Sequence, residues 1–155
     1  MLAGYEQLGG ELLAQIDGRI DAFCGSVGSA GMLMGVAHAL KGESDQTRIV
    51  ALEPAGSPVI TTGTAGNHRV EGIGVGFVPP LLDKNYYDEI RAIDEAEARA
   101  MARRLAREEG IFAGISSGLN VVGALQLARE LGRGHTVVTV AIDSGLKYLA
   151  GDLYE

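Results

Sequence analysis

The chain has 155 residues, of which 46% are hydrophobic and 21% are charged. This composition is ordinary for a globular protein, and the length is sufficient for one compact domain with a hydrophobic core. The formal net charge of −7 argues against a nucleic-acid backbone or an anionic membrane surface as the main partner.

The cysteine content and the N-terminal sequence exclude further classes of protein. The single cysteine, Cys24, excludes an intramolecular disulfide framework and a cysteine-rich zinc site, and its apolar neighbours in sequence predict that it is buried. We predict no metal site. The first residues lack the basic flank and apolar stretch of a signal peptide, and no apolar run approaches the ~20 residues of a transmembrane helix. We therefore expect a cytoplasmic protein with neither nucleic acid nor membrane as partner.

The first half of the chain alternates predicted helices with short apolar strands. Apolar residues at helical spacing predict a helix over residues 6–16, and a strand follows over residues 19–24. A glycine-rich loop leads to a second helix that ends at Gly42, and residues 48–53 form the next predicted strand. Residues 55–84 show no periodicity, which is typical of segments that carry function or are mobile.

The second half begins with a predicted strand over residues 87–93 and continues with the clearest helix start in the chain. Asp94 has the chemistry of an N-cap and Glu97 follows three residues later, an arrangement that predicts a helix over residues 96–109. A second amphipathic helix is predicted over residues 119–131.

The most strand-like run in the chain is residues 135–142. Strands that alternate with helices of about 10–15 residues predict an α/β domain with a largely parallel sheet. The sequence shows no internal repeat.

Residues 26–35 read SVGSAGMLMG and lie between a predicted strand and a predicted helix. Small residues in such a loop let several backbone amides approach one anion, and the helix dipole favours negative charge there. A tight turn without a ligand is the alternative interpretation. The loop is neither a Walker A motif nor a G-x-G-x-x-G motif. The candidate phosphate ligands are the amides of this loop, with the Ser29 hydroxyl as an additional donor: Gly28, Ser29, Ala30, Gly31 and Met32.

Two further turns of small and polar residues follow apolar runs. GISSG occupies residues 114–118, where Ser116 or Ser117 could cap the next helix or present a hydroxyl to a ligand. IDSG occupies residues 142–145. Open α/β sheets bind ligands at the carboxyl edge of the strands. We therefore expect one shared crevice at that edge, formed by the loops at residues 28–32, 72–74, 114–118 and 143–145.

Four segments together resemble the cysteine synthase group of the fold-type-II pyridoxal-phosphate enzymes, which also includes cystathionine β-synthase. The resemblance covers nearly the whole chain. It implies a three-layer α/β fold with a mostly parallel sheet, similar to the large domain of these enzymes but incomplete. It also implies pyridoxal 5′-phosphate as cofactor and a small-molecule amino-acid substrate. The segments are VGSAGMLMG at 27–35, EGIGVGFVP at 71–79, GISSG at 114–118 and DSGLKYL at 143–149.

The resemblance implies a role for each of these loops. The family's glycine loop, usually Gly-Thr-Gly-Gly-Thr, holds the cofactor phosphate and corresponds to residues 28–32. Here Ser29 keeps a hydroxyl and Met32 loses one, which implies a weaker phosphate site. The serine that meets the pyridine nitrogen corresponds to Ser116. The loop that borders the substrate corresponds to Gly72, Ile73 and Gly74.

Some family segments have no counterpart in these 155 residues. The family's Schiff-base lysine lies in a segment with Asn-Pro and Lys-Asp-Arg, and its carboxylate-binding loop reads Thr-Ser-Gly-Asn; neither is found here. By this resemblance the chain begins about half-way along the family's sequence, and none of Lys41, Lys84 and Lys147 lies in a matching context. Because lysine is the nucleophile and proton carrier in this chemistry, we assign no catalytic residue.

The resulting interpretation is a single domain over residues 1–155, the C-terminal, large-domain part of a cysteine-synthase-like enzyme. Intact relatives replace the β-substituent of an activated serine with sulfide to make cysteine, and we expect this part to be inactive alone. A related β-elimination or β-replacement on another amino acid stays open. The alternative is a non-catalytic pseudoenzyme module that binds a phosphate ligand or a protein partner.

The same resemblance predicts how the chain assembles. In the family, N-terminal chain completes the sheet of the large domain, so we expect an uncovered sheet edge and an exposed apolar face here. We expect a homo-oligomer, or assembly with a complementary N-terminal half. Residues 56–76 are predicted to be mobile. Alternatively, the N-terminal helix around residues 8–16 covers the sheet edge.

Overall fold

The computed structural model describes residues 2–155. The described residues form one parallel sheet of four strands in the order β3-β2-β1-β4. The strands are β1 (Ala22–Ser26), β2 (Arg48–Pro54), β3 (Glu89–Ile93) and β4 (Val137–Val138). The helices are α1 (Leu2–Gln15), α2 (Gly31–Glu43), α3 (Val59–Thr62), α4 (Glu95–Arg104) and α5 (Ile115–Leu131), with a π-helical turn at Leu105–Glu109 and a 3₁₀ turn at Gly145–Tyr148.

Helices cover both faces of the sheet. Side chains alternate along a strand, so Cys24 packs in a cluster with Leu119 of α5, whereas the preceding Phe23 packs in a second cluster with Leu33 of α2. The central strands are buried on both faces, which is usual for parallel sheets because their crossover connections place helices there. The structure confirms the predicted three-layer α/β fold.

The N-terminal helix α1 packs on α2 through glycines. A Cβ added at Gly9 would lie 2.5 Å from the Cβ of Ala39, and a Cβ added at Gly35 would collide with the Cβ of Tyr5. The absence of side chains at both glycines lets the two backbones approach closely. The main packing partner of α1 is therefore α2, and its apolar residues belong to the same cluster as Val138 of the edge strand β4. The covering of a sheet edge by α1 stays a prediction.

The start of α4 confirms the predicted cap. The Asp94 carboxylate accepts hydrogen bonds from the amides of Ala96 at 2.8 Å and Glu97 at 3.1 Å. These bonds satisfy two amides that the first helical turn leaves without partners. The predicted helix over 96–109 is α4 followed by the π-helical turn, and it ends where Gly110 adopts a φ of 70°.

The segment after β2 contains an element that the sequence pattern did not reveal. Helix α3 begins close to the buried carboxylate of Glu53, which accepts hydrogen bonds from the amides of Ile60 at 2.7 Å and Thr61 at 3.0 Å. A helix of one turn leaves no periodic pattern in the sequence, and its anchor lies on the preceding strand. The mobility of residues 56–76 stays a prediction.

The strand predicted over residues 135–142 is much shorter in the structure. Only Val137 and Val138 form β4, which pairs with Ala22 and Phe23 of β1. Beyond that point, side chains supply the hydrogen bonds that a ladder would otherwise make. The hydroxyl of Thr139 donates to the carbonyl of Cys24 at 2.8 Å.

The turn GISSG also differs from its prediction. Helix α5 begins at Ile115 and its N-cap is Gly114, so Ser116 and Ser117 lie in the first turn and neither caps the helix. The predicted start at residue 119 is therefore wrong by one turn. The reason is tertiary, because Gly114 donates to the carboxylate of Asp143 at 3.1 Å and this contact fixes where the helix begins.

Within residues 2–155, no helix has both the length and the apolar character needed to cross a bilayer. In the same part of the chain, no group of three or more metal-ligating side chains comes together.

Candidate functional site

A cavity of about 480 Å³ lies at the carboxyl end of β1. Its volume is within the range of small-molecule sites. Residues 28–32 form one wall, Gly72 and Ile73 another, and Ser116 and Asp143 a third. The structure therefore brings together members of all four predicted loops. Gly74 does not line this cavity but a smaller neighbouring one.

The loop at residues 28–32 leads directly into the N-terminus of α2. The amides of the first helical turn have no partner inside the helix, and the helix dipole makes this end positive. The Ser29 hydroxyl accepts a hydrogen bond from the Gly31 amide at 3.3 Å, which folds its side chain back onto the loop. Within residues 2–155, Ala30 is the only residue other than glycine that has a positive φ, which is 67°.

The side chain of Met32, the last residue of the predicted phosphate loop, lies over the adjacent strand. A Cβ added at Gly25 would lie 2.7 Å from the terminal methyl of Met32. The missing side chain at Gly25 leaves the space that the longer methionine fills. The Met32 side chain thus packs on β1, and Met32 is also among the residues that line the cavity.

The loop at residues 72–74 is held tightly against the loop that starts at Gly28. The amide of Gly74 donates to the carbonyl of Val27 at 3.2 Å. A Cβ added at Gly28 would collide with the carbonyl oxygen of Gly72. Gly72 and Gly74 have φ angles of 79° and 59°, a left-handed conformation that glycine adopts without strain. Glycine is therefore favoured at position 28 by the close approach of the two backbones, and at positions 72 and 74 by the positive φ.

The two serines in the first turn of α5 have different environments. Ser116 lines the cavity, whereas the hydroxyl of Ser117 accepts a hydrogen bond from the amide of Ile142 at 2.9 Å. One turn later, Asn120 accepts from the amide of Ser26 at 2.8 Å and donates to the carbonyl of Val140 at 2.9 Å. Asn120 is fully buried and joins two walls of the cavity. A lone asparagine within a helical pattern carries no sequence signal for this role.

Asp143 connects the turn at residue 114 to the 3₁₀ turn. Its carboxylate accepts from the amide of Gly114 at 3.1 Å and from the hydroxyl of Tyr148 at 2.8 Å. Burial, together with this hydrogen bond, raises the pKa of Tyr148. Tyr148 therefore stays a neutral donor that orients Asp143, and Asp143 in turn positions the start of α5.

Lysine is present at the cavity only as Lys147. Its ammonium lies 2.7 Å from the carboxylate of Glu71, and this hydrogen bond raises the pKa of Lys147. Both side chains are more than half exposed, so the pair lies at the rim of the cavity. Lys41 is paired with Asp88 elsewhere. Lys84 does not line the cavity.

A further hydroxyl at the cavity was not singled out from the sequence. Ser26 ends β1 and lines the cavity, and its hydroxyl oxygen is buried without a hydrogen-bond partner within residues 2–155. A serine in an apolar strand is usually interpreted as a packing residue, so the sequence carried no signal that distinguished Ser26.

The chain is similar to known proteins in sequence and in fold. Residues 1–143 match the family model described as pyridoxal-phosphate dependent enzyme. Cysteine synthase of Staphylococcus aureus strain N315 is 48% identical over 147 residues, which are 94% of this chain and 47% of that relative. The chain thus spans about half the length of the curated relatives it matches.

Solved structures of related enzymes share the fold. O-acetyl serine sulfhydrylase isoform 3 from Entamoeba histolytica superposes with a TM-score of 0.95 at 35% identity, over 99% of this chain and 46% of that one. O-acetylserine dependent cystathionine β-synthase from Helicobacter pylori superposes with a TM-score of 0.93 at 33% identity, over 99% and 50%. The match over residues 1–143 and these likenesses show that the chain belongs to the fold-type-II pyridoxal-phosphate-dependent enzymes, the family of cysteine synthase, whose cofactor is pyridoxal phosphate.

Proposed function

We propose that this chain carries the cofactor-holding part of a cytoplasmic cysteine-synthase-like enzyme. Its reaction replaces the β-substituent of an activated serine with sulfide to make cysteine. In this proposal residues 1–155 are one domain, the large-domain part. The observation that carries it is that the phosphate-loop residues 28–32 and Ser116 line one cavity together with Gly72 and Ile73. The relatives named cysteine synthase and O-acetyl serine sulfhydrylase support the choice of reaction.

The residues present fit the phosphate of the cofactor. Residues 28–32 line the cavity at the positive end of α2, and the terminal methyl of Met32 lies against Gly25. The small side chains of the loop leave its amides open to an anion. Met32 offers no hydroxyl, so the backbone amides and the Ser29 hydroxyl supply the donors. We expect weaker binding than in a relative with threonine at this position.

The other walls fit the ring and the substrate. Ser116 would meet the pyridine nitrogen with a neutral hydroxyl, and the loop at Gly72, Ile73 and Gly74 would border the amino-acid substrate. When bound, pyridoxal phosphate supplies an electron sink for the carbanion at the α-carbon of the substrate. The contribution of these residues is to orient the ring and to shape the space beside it, because none of them carries a basic group.

The proposal needs an amine that none of the lysines of this chain matches by the resemblance to the family. Lys147 is more than half exposed at the rim and is ion-paired with Glu71, and by the resemblance to the family it does not lie in the Schiff-base segment. We therefore propose that the 155-residue chain has no turnover alone and acts with a complementary half that carries the lysine. Assembly as a homo-oligomer is the other form of partnership that the exposed apolar residues support.

The cofactor site is tested by equilibrium dialysis of pyridoxal phosphate against the chain, with inorganic phosphate as competitor. We expect pyridoxal phosphate to bind and inorganic phosphate to compete with it. Gly28→Ala is expected to abolish it by pushing the loops at Gly28 and Gly72 apart. Gly10→Ala, at a helical position with open space around it, is the matched control and is expected to bind normally. Binding that Gly28→Ala leaves unchanged, or no binding at all, contradicts the proposed site.

Activity is tested by complementation. The chain is mixed with the lysine-bearing N-terminal half of the Staphylococcus aureus relative, and cysteine formation from O-acetylserine and sulfide is measured. We expect no product from either half alone and product from the mixture. Turnover by the chain alone near the ~10 s⁻¹ median of enzymes would contradict the proposal. Cofactor binding without any gain from the second half would favour the non-catalytic module.

A further inference from the structure

The hydroxyl of Ser26 is the one buried side-chain polar atom without a hydrogen-bond partner in the part of the chain that the structure describes. Ser26 is only 6% exposed. The large majority of buried polar side-chain atoms in native proteins are paired, because an unpaired buried group loses its hydrogen bonds to water without replacement. This exception lies at a cavity, which points to a partner from outside the chain.

The position of Ser26 indicates which part of the cavity its hydroxyl serves. Side chains alternate along β1, so Ser26 lies on the same face as Ala22 and Cys24, which pack in one cluster with Leu119 of α5. The first turn of the same helix carries Ser116. Ser26 and Ser116 line the same cavity, and both belong to its α5 side.

The neighbouring polar groups on this side already have partners. The amide of Ser26 donates to the side chain of Asn120, whose own amide group donates to the carbonyl of Val140. The hydroxyl of Ser117 accepts a hydrogen bond from the amide of Ile142. The backbone of Ser26 is therefore held in place, and only rotation of its side chain is needed to turn the hydroxyl into the cavity. Serine has staggered rotamers for such a rotation.

We propose that the Ser26 hydroxyl is an additional cofactor contact, which hydrogen-bonds the pyridine-ring part of the bound ligand beside Ser116. The proposal rests on the proposed cofactor site. The phosphate loop starts at Gly28, directly beyond the end of β1, so a ligand held by this loop and by Ser116 passes the end of the strand where Ser26 lies. Ser26 then gains on binding the hydrogen bond that it lacks in the free chain.

The test is Ser26→Ala, read by ligand binding and by thermal melting of the free chain. We expect affinity for pyridoxal phosphate, and equally for pyridoxal without its phosphate, to fall about three- to tenfold, the loss of one ordinary hydrogen bond. Competition by inorganic phosphate is expected to be unchanged. The melting temperature of the free chain is expected to stay the same or to rise, since an unpaired buried hydroxyl is removed. Ser117→Ala is the matched comparison and is expected to lower the melting temperature, because the Ser117 hydroxyl accepts a hydrogen bond from the amide of Ile142.

The outcomes separate this inference from the proposed function. Unchanged affinity of Ser26→Ala for both ligands overturns the inference, and so does a lowered melting temperature of its free chain, which would reveal a partner within the protein. If Gly28→Ala abolishes binding while Ser26→Ala does not weaken it, the cofactor site stands and only the Ser26 contact fails. If the unaltered chain does not bind pyridoxal phosphate, both fail.

Discussion

The side chain of Asn120 accepts a hydrogen bond from the backbone amide of Ser26 at 2.8 Å and donates one to the carbonyl of Val140 at 2.9 Å. It therefore joins the end of β1 to the segment that follows β4. Asn120→Leu is expected to destabilise the chain by about 2–4 kcal/mol, because two buried backbone groups lose their partners. Urea unfolding measures this. Asn120→Asp keeps the acceptor oxygen and is the comparison variant. If Asn120→Leu left the free energy of unfolding unchanged, the bridge would be dispensable.

The left-handed conformation of Ala30 predicts an unusually small cost for its substitution by glycine. Its φ of 67° costs a non-glycine residue roughly 1–2 kcal/mol. Relief of this strain offsets the greater flexibility of glycine in the unfolded chain and the loss of a methyl group that packs in the core. Ala30→Gly is therefore expected to change the free energy of unfolding by less than about 0.5 kcal/mol, measured by urea unfolding. Ala128→Gly, at an exposed position of α5, is the control and should destabilise by about 1 kcal/mol; equal losses in the two variants would refute the argument.

Neighbouring glycines of α1 are expected to respond in opposite directions. Gly10→Ala should stabilise by about 0.5–1 kcal/mol, because the added methyl meets open space and alanine favours a helix. Gly9→Ala should destabilise by about 1–3 kcal/mol, because its methyl would press on Ala39 of α2. Thermal and urea unfolding distinguish the two. Equal effects would mean that α1 does not pack on α2 in solution.

The buried thiol of Cys24 predicts a dependence of stability on alkaline pH. Burial raises the pKa of Cys24 to about 11, whereas an unfolded cysteine has a pKa of about 8.5. Between these values the folded chain keeps a proton that the unfolded chain has lost, so stability falls as pH rises, by about 3–4 kcal/mol over the whole range.

The prediction for Cys24 is tested by measuring the free energy of urea unfolding between about pH 7.5 and pH 10.5. We expect this free energy to fall as the thiol of the unfolded chain loses its proton. Cys24→Ala serves as the control, because it keeps every other titrating group. Its stability should fall less steeply above about pH 9 than that of the unaltered chain. Parallel curves for the two proteins would show that Cys24 is not protected from water.

Exposed apolar residues predict self-association. Phe77 is 58% exposed and Val78 is 49% exposed, and Leu146 and Leu149 are exposed as well. Such surfaces recruit partners, so we expect a dimer or larger species of the 155-residue chain at micromolar concentration. Sedimentation velocity tests this, with Phe77→Ser as the variant expected to dissociate. A clean monomer near the formula mass of 16.2 kDa with a cooperative melt would contradict it.

Features that depend on neighbours in sequence were predictable. The cap at Asp94 and the end of its helix at Gly110 follow from local chemistry, and hydrophobic periodicity predicted the α/β fold. Small residues marked the loop at 28–32 and the turn that holds Ser116, and these residues line one cavity in the structure. These signals are local because a cap, a turn or an amphipathic face is decided within a few residues.

Features that depend on distant residues were decided only by the tertiary structure. β4 is short because side chains take over its hydrogen bonds, and Ser116 lies inside α5 because Asp143 holds Gly114. Asn120 and Ser26 are 94 residues apart in sequence, yet one hydrogen bond joins them. Whether a buried hydroxyl finds a partner depends on what packing brings beside it, and no local pattern records that.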